Sequence, residues 1–237
     1  MADTLARPSL PAPAHPCRPA ADPAPAIRGR ISADPHHGFH PAPRRYHLYL
    51  SATCPRSLRV SVTLDLLDLR SCVGTTVLDA AGGAPGLRAA YEAARHHYDG
   101  PLAVPALCDR WSGRVVSNHT PHILDDLALR LADPADPGLP RLRPAALAAD
   151  IDGLRLLVED GTAEPLLLDL LECRLAGRPY VLGPALTAAD VDVWAAIATV
   201  PECDGDPLAG RPRLAAWYER LGAHPAFAAA TRQPAPC

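Results

Sequence analysis

The residue best suited to covalent chemistry in this sequence is Cys54, which is followed directly by Pro55. A thiol at the start of a helix lies beside unpaired backbone N–H groups and the positive end of the helix dipole, and both stabilise the thiolate. Arg56 and Arg59 add positive charge and are expected to support it. Ser57 occupies the position of a second cysteine, so the pattern predicts exchange through a mixed disulfide with a small thiol. The alternative is a structural cysteine with no turnover.

Two further patterns carry groups that could serve a ligand or a metal. Pro105 interrupts an apolar run over 102–107, and a proline in such a run marks an edge strand or a special peptide bond. His119 and His122 are three residues apart at a predicted helix start. That spacing suits a metal pair, but no third ligand lies near it in the sequence, so we predict no metal site.

Short elements of alternating type must position these residues. The run at 46–50 predicts a strand, and apolar residues at helical spacing predict a helix over 55–68, begun by a proline that the first helical position tolerates well. Strands are also predicted at 73–78, at 102–107 and from Val115, with a turn at 82–83 and helices over 87–98 and after a cap at 118–120. Alternating strands and helices predict an α/β sandwich, here in the thioredoxin-like order.

The pattern changes beyond residue 132. The segment 133–144 contains four prolines and predicts a linker. Residues 145–232 hold apolar helical segments without strand signals, and Thr187 and Asp190 have the spacing of a capping box. We therefore predict an all-helical second domain.

The first 44 residues differ from the rest because proline and alanine dominate them. Such a stretch buries little apolar surface and lacks backbone donors. We predict a disordered or draped arm over 1–44, a thioredoxin-like domain over 45–132, a linker over 133–144 and a helical domain over 145–232.

The composition excludes several classes of protein. The chain has 237 residues, of which 48% are hydrophobic, and a formal net charge of -3. That balance gives no reason to expect nucleic acid or an acidic membrane surface as a partner. No signal peptide or apolar run of membrane-spanning length is evident, and the seven cysteines are scattered. We expect a cytoplasmic protein with mostly reduced thiols.

Five segments in order along the chain carry a family resemblance. They are residues 46–55, which end in the Cys-Pro pair, 104–107 with a Val-Pro pair, 113–118, 180–183 and 186–190. Together they resemble the glutathionyl-hydroquinone reductases, the Xi class of the glutathione transferases. Arg59 falls where the family's Cys-Pro motif ends, and the resemblance extends with gaps over about residues 39–227.

The resemblance implies a thioredoxin-like N-terminal domain followed by an all-α glutathione-transferase C-terminal domain, with Cys54 as the catalytic thiol. It implies a cis-proline at Pro105, beside which Val104 offers backbone groups to the peptide part of glutathione. His119 and Thr120 would then bind the γ-glutamyl end. Dimers are usual in the family, so a homodimer is expected.

The sequence departs from the family where the substrate would bind. His119 and Thr120 replace a Glu-Ser pair, Arg56 replaces a tryptophan, and 150–168 lacks a tyrosine-bearing segment that lines the family's hydroquinone pocket. His119 cannot pair with the ammonium of glutathione as a carboxylate does. Glutathione and another low-molecular-weight thiol therefore both stay open as the co-substrate.

Two functions follow from these residues. The first is a cysteine-type glutathione transferase that removes glutathione from quinone-like, hydrophobic adducts through a Cys54 mixed disulfide. The retained Cys54 and Pro105 favour it. The alternative is a non-catalytic binding module of the same fold with a degraded substrate site, which the departures favour.

Overall fold

A computed structural model describes residues 26–78, 84–158, 164–200 and 205–231. Strands and helices alternate up to residue 131, and the described residues beyond that point form helices but no strand. The strands are β1 (Tyr46–Ser51), β2 (Gly74–Leu78), β3 (Ala106–Asp109) and β4 (Arg114–Ser117). The helices are α1 (Pro55–Leu66), α2 (Pro85–Ala94), α3 (Thr120–Asp126), α4 (Ala148–Leu157), α5 (Pro165–Arg174), α6 (Ala188–Ala198), α7 (Pro212–Gly222) and α8 (Pro225–Thr231).

The four strands form one mixed sheet in the order β2-β1-β3-β4. β1 is parallel to β2 and antiparallel to β3, and β3 is antiparallel to β4. Successive side chains of a strand point to opposite faces. Leu107 accordingly joins the core beneath α1 and α3, whereas Ala106 and Cys108 pack with Leu87 and Tyr91, both of α2. This is the thioredoxin-like α/β sandwich that the sequence predicts.

Several boundaries differ from the predicted ones. α1 ends two residues early because Asp68 adopts a left-handed conformation with φ 51°. α2 ends at Ala94 because Arg95 is extended. The third strand begins only at Ala106, after a cis peptide bond. The turn predicted at 82–83 lies outside the described residues.

Of the two alternatives predicted for the arm, disordered or draped, residues 26–44 take the draped one and lie along the sheet. Ile31 is 2% exposed, Gly29 donates its backbone N–H to the Val116 carbonyl (2.9 Å), and Arg28 forms an antiparallel bridge with Ser117. The arm thus pairs with the outer edge of β4, which protects that edge of the sheet from other chains. A Cβ atom on Gly29 would lie 2.4 Å from the Val116 carbonyl oxygen, so the approach requires glycine.

The linker at 133–144 contains no helix or strand. Of the helices that follow it, α6 is the first that is buried along most of its length. The predicted capping box is present at its start. The Asp190 carboxylate accepts hydrogen bonds from the backbone N–H and the hydroxyl of Thr187, from the Val181 N–H and from the Trp217 indole. Burial raises the pKa of Asp190. The capping box therefore links α6 to the preceding loop and to α7.

Buried ion pairs join the two domains. Arg59 of α1 bonds to the Val158 carbonyl at the end of α4, and its Nε lies 3.8 Å from Asp192 of α6. Arg155 donates to Asp192 at 3.0 Å and to Asp125 at 3.2 Å. Asp192 is fully buried and Arg155 is 3% exposed. The carboxylate of Asp192 therefore lies between two guanidinium groups from different domains.

No helix among the described residues is long and apolar enough to cross a membrane.

Replacing Asp192 by asparagine should lower the free energy of unfolding by about 3–5 kcal/mol, because Arg59 and Arg155 would lose a buried counter-charge. Urea denaturation followed by circular dichroism measures this loss. Asp169→Asn is the matched control, since Asp169 pairs with Arg211 at an exposed position. Its loss should stay below about 1 kcal/mol. Equal losses in the two variants would contradict the role assigned to Asp192.

Candidate active site

The directions of the strands bring three predicted segments together at one edge of the sheet, namely the edge at which β1 and β4 end and β3 begins. β1 and β4 run the same way, because each is antiparallel to β3, which lies between them. The end of β1, the start of β3 and the end of β4 therefore meet at the same edge. Cys54 follows β1, Pro105 precedes β3, and His119 with Thr120 follows β4.

Cys54 is the N-cap residue of α1, and Pro55 occupies the first helical position. No side chain caps this helix, so the backbone N–H groups of its first turn are open to a charged group at the thiol. The Ser57 hydroxyl accepts the backbone N–H of Ser51 at 3.0 Å, which ties the end of β1 to α1. The residue in the place of a resolving cysteine thus positions the turn that presents Cys54.

The peptide bond between Val104 and Pro105 is cis, as the sequence predicts. The ladder between β1 and β3 ends at the Tyr49–Ala106 pair, so Val104 lies beyond it. The Cys54 Sγ lies 3.8 Å from the Val104 carbonyl oxygen. A partly exposed thiol and the backbone of the bend before β3 therefore face each other.

His119 and Thr120 lie at the start of α3, where Thr120 is 5% exposed. The predicted side-chain cap is absent, and Asn118 instead bonds elsewhere. The rings of His119 and His122 meet edge to face, 4.3 Å apart. The pKa of His119 is lowered from 6.5 to about 4. Burial is the largest cause, and the positive charges of His122 and of the neighbouring arginines add to it. His119 is therefore neutral at pH 7.

The two arginines expected beside the thiol differ in their surroundings. Arg56 is exposed on the first turn of α1. Arg59 is 1% exposed and directed to Val158 and Asp192 at the domain junction. The prediction that Arg59 supports the Cys54 thiolate is corrected, because the Asp192 carboxylate compensates its charge.

The sequence analysis missed the residues that hold this edge together. The Ile27 N–H donates to the side-chain oxygen of Asn118 at 2.7 Å. The Asn118 amide donates to the Tyr91 hydroxyl at 3.0 Å, which donates to the Ala103 carbonyl at 2.9 Å. This relay joins the arm, the start of α3, α2 and the segment before Pro105. Its members are far apart in sequence, so no local spacing signals it.

Among the described residues, no three or more His, Cys, Asp or Glu side chains are close enough together to hold a metal ion.

Replacing Tyr91 by phenylalanine should lower the free energy of unfolding by about 1–3 kcal/mol, because the Ala103 carbonyl and the Asn118 amide lose their common partner. Denaturant titration measures the change. Tyr218→Phe is the control, since the Tyr218 hydroxyl bonds to no described residue and the ring stacks on Trp194. A loss no larger than that of Tyr218→Phe would contradict the relay.

The lowered pKa of His119 makes stability depend on pH. Between about 4 and 6.5 the unfolded chain binds a proton at His119 that the folded chain excludes, so the free energy of unfolding falls as the pH is lowered through this range. His119→Gln should make that fall smaller, as measured by urea midpoints at pH 7 and at about 4.5. The exposed His96→Gln variant should behave as the parent chain does, and an unchanged slope in His119→Gln would refute the assignment.

Comparisons with known proteins agree with this architecture. Residues 167–220 match the family model of the glutathione S-transferase C-terminal domain. A glutathionyl-hydroquinone reductase of Sphingobium chlorophenolicum is 26% identical over 83% of this chain and 76% of its own length. An omega-like glutathione S-transferase of Schizosaccharomyces pombe is 27% identical over 85% of this chain and 82% of its own length.

The crystal structure of a Xi glutathione S-transferase from Phanerochaete chrysosporium superposes with a TM-score of 0.74 at 26% identity, over 87% of both chains. Sequence and fold thus point to the same group of proteins. By sequence and by fold, the chain is similar to the glutathione transferases, and among them to the Xi-class enzymes and a glutathionyl-hydroquinone reductase.

Proposed function

We propose that the protein is a cysteine-dependent glutathione transferase that reduces glutathionyl adducts of quinone-like compounds through a mixed disulfide on Cys54. The observation that carries this proposal is the 3.8 Å approach of the Cys54 Sγ to the Val104 carbonyl, beside the cis peptide bond at Pro105. A thiol ligand with a peptide-like body needs a nucleophile for its sulfur and, beside it, backbone groups outside the sheet ladder that could pair with its amides. The similarity to a relative named glutathionyl-hydroquinone reductase supports the choice of acceptor.

The binding step uses groups that lie along the sheet edge. The backbone of Val104 would pair with the cysteinyl part of the co-substrate in the manner of an added strand. Thr120 would donate its hydroxyl to the far end of the same molecule. Val104 lies beyond the last pair of the β1–β3 ladder, so its backbone groups would be available to a ligand.

The reaction would proceed in two exchanges. The Cys54 thiolate attacks the sulfur of the glutathionyl adduct, the carbon–sulfur bond breaks, and the aromatic carbon takes the electron pair and a proton. The hydroquinone leaves reduced, and Cys54 carries glutathione as a disulfide. The thiolate of a second co-substrate molecule then attacks the glutathione sulfur of this disulfide. The two small thiols leave joined as a disulfide, and the Cys54 thiolate is restored.

The chain's own residues favour a single-cysteine cycle. Ser57 is 1% exposed and bonded to the Ser51 backbone, so it offers no second thiol. Cys72 and Cys108 lie elsewhere in the first domain, and burial raises the pKa of Cys108 to about 12. None of these described residues supplies a resolving thiol, so a small thiol from solution would resolve the disulfide on Cys54. The homodimer and the cytoplasmic location expected from the sequence stay predictions.

Incubation with glutathionyl-menadiol should place one glutathione on Cys54 of the parent chain and release menadiol, and Cys54→Ser should abolish both. Mass spectrometry of the intact chain and of its peptides detects the adduct, and absorbance follows the released product. Cys173→Ser is the matched control, because Cys173 is exposed on α5. It should keep the full rate of product release.

A parent chain that neither acquires the adduct nor releases menadiol would contradict the proposal. Binding of glutathionyl-menadiol without turnover, measured by calorimetry, would instead favour the non-catalytic binding module. A rate that Cys173→Ser lowers as much as Cys54→Ser would reject Cys54 as the nucleophile.

A further inference from the structure

The segment at 101–105, between α2 and β3, is held by hydrogen bonds from side chains. It contains two prolines, which have no N–H to donate. Outside the helices and strands, the described backbone–backbone hydrogen bonds include none to this segment. Instead, the Tyr91 hydroxyl donates to the Ala103 carbonyl at 2.9 Å, and the Tyr98 hydroxyl donates to the Pro101 carbonyl at 2.5 Å. The position of the segment therefore depends on these two tyrosines.

The Tyr91 hydroxyl is a donor whose place the fold fixes. The residue is fully buried in the cluster between α2 and the sheet, and its ring lies 4.8 Å from the ring of Tyr98. Burial raises the pKa of Tyr91 to about 12, so the hydroxyl keeps its proton at pH 7. The hydroxyl accepts the Asn118 amide at 3.0 Å. Its own proton is therefore left for the Ala103 carbonyl.

The bond from Tyr91 sets the orientation of one peptide unit. The Ala103 carbonyl and the Val104 N–H belong to the same peptide, and the cis bond is the following one, between Val104 and Pro105. In a planar trans peptide the C=O and N–H groups point in opposite directions. Because the Ala103 carbonyl points to Tyr91 in the core, the Val104 N–H points away from the core.

Both polar backbone groups of Val104 are thereby open to a ligand. The carbonyl oxygen lies 3.8 Å from the Cys54 Sγ, and the N–H donates to no described residue. A residue that presents both groups can pair with an added extended segment. Cys54 itself is positioned by β1 and α1. A rotation of the peptide before Val104 would therefore misdirect the N–H and leave the thiol in place.

We propose that Tyr91 is a positioning residue for the thiol co-substrate: its hydroxyl holds the peptide between Ala103 and Val104 so that Val104 can pair with the peptide part of the ligand. The inference rests on the proposed function and deepens it, because it assigns a role in binding to a residue of the core. Tyr91 acts through the backbone and not on the sulfur, so its loss should affect only ligands that have a peptide part.

The test compares two disulfides that differ in the group attached to sulfur: glutathione disulfide, which has a peptide part, and bis(2-hydroxyethyl) disulfide, which has none. In each reaction the Cys54 thiolate attacks one sulfur, the disulfide bond breaks, a mixed disulfide forms on Cys54 and one thiolate leaves. Mass spectrometry of peptides from the full chain follows the adduct on Cys54. Each rate is divided by the rate of the same disulfide with free cysteine, which removes intrinsic differences in reactivity.

In the parent chain the corrected rate should be higher for glutathione disulfide. Tyr91→Phe should lower that rate about threefold to tenfold, as expected for one hydrogen bond, and leave the rate of the hydroxyethyl disulfide unchanged. Tyr98→Phe is the matched control, because it removes the same kind of bond from the same segment at Pro101. It should keep both parent rates. Tyr91→4-aminophenylalanine keeps an N–H donor for the Ala103 carbonyl and should restore most of the lost rate.

The outcomes separate the two proposals, with circular dichroism at the assay temperature used to verify that each variant is folded. If neither disulfide modifies Cys54 of the parent chain, the proposed function fails and takes the inference with it. The proposed function stands and the inference is overturned if the parent reacts with both disulfides at equal corrected rates, or if Tyr91→Phe keeps the parent rates or slows both alike. A loss of equal size in Tyr98→Phe, or no recovery in the 4-aminophenylalanine variant, also overturns it.

Discussion

The antiparallel strand β3 between β1 and β4 is the constraint on which the candidate site depends. It makes β1 and β4 run in the same direction, so the loops after both strands and the loop before β3 meet at one edge. Val104 and His119 lie 50 and 65 residues after Cys54 in the sequence, yet strand direction alone brings their segments together. The ladder between β1 and β3 ends at Ala106, so the last backbone groups before β3 lie outside it at this same edge.

The helices and the arm fix this edge by contacts of two physical kinds. On one face, Asn118 and Tyr91 connect the arm, α2 and the segment before Pro105 by neutral hydrogen bonds. On the other, Asp192 lies between Arg59 and Arg155 and connects α1 to the helical domain through charges. Burying such charges costs solvation that their attraction offsets only with good geometry. The ion pairs therefore contribute more to the register of α1 against α6 than to net stability.

Local features of the site could be predicted from the sequence, and long-range ones could not. The helix that begins at Pro55 and the capping box at Thr187 follow from residues within one turn of each other. Arg59 shows the limit: its spacing from Cys54 places both at the start of one helix, but the side chain points to Asp192, 133 positions later in the chain. The arm shows it again, because the bonds of Ile27 and Gly29 go to β4 and to the residue after it. Composition can suggest disorder, but a partner strand overrides it.

In the proposed function, thiol exchange and recognition of the co-substrate depend on different groups. The groups around Cys54 are largely backbone: the first turn of α1 and the carbonyl of Val104. Side-chain substitutions change such groups little, since every residue but proline carries the same amide. The groups at the end of β4 are side chains, His119, His122 and the arginines of the arm, and one substitution there changes the charge that a ligand meets. A chain of this fold can therefore keep its thiol exchange while its preference among thiols changes, because the two depend on different atoms about 10 Å apart across the sheet.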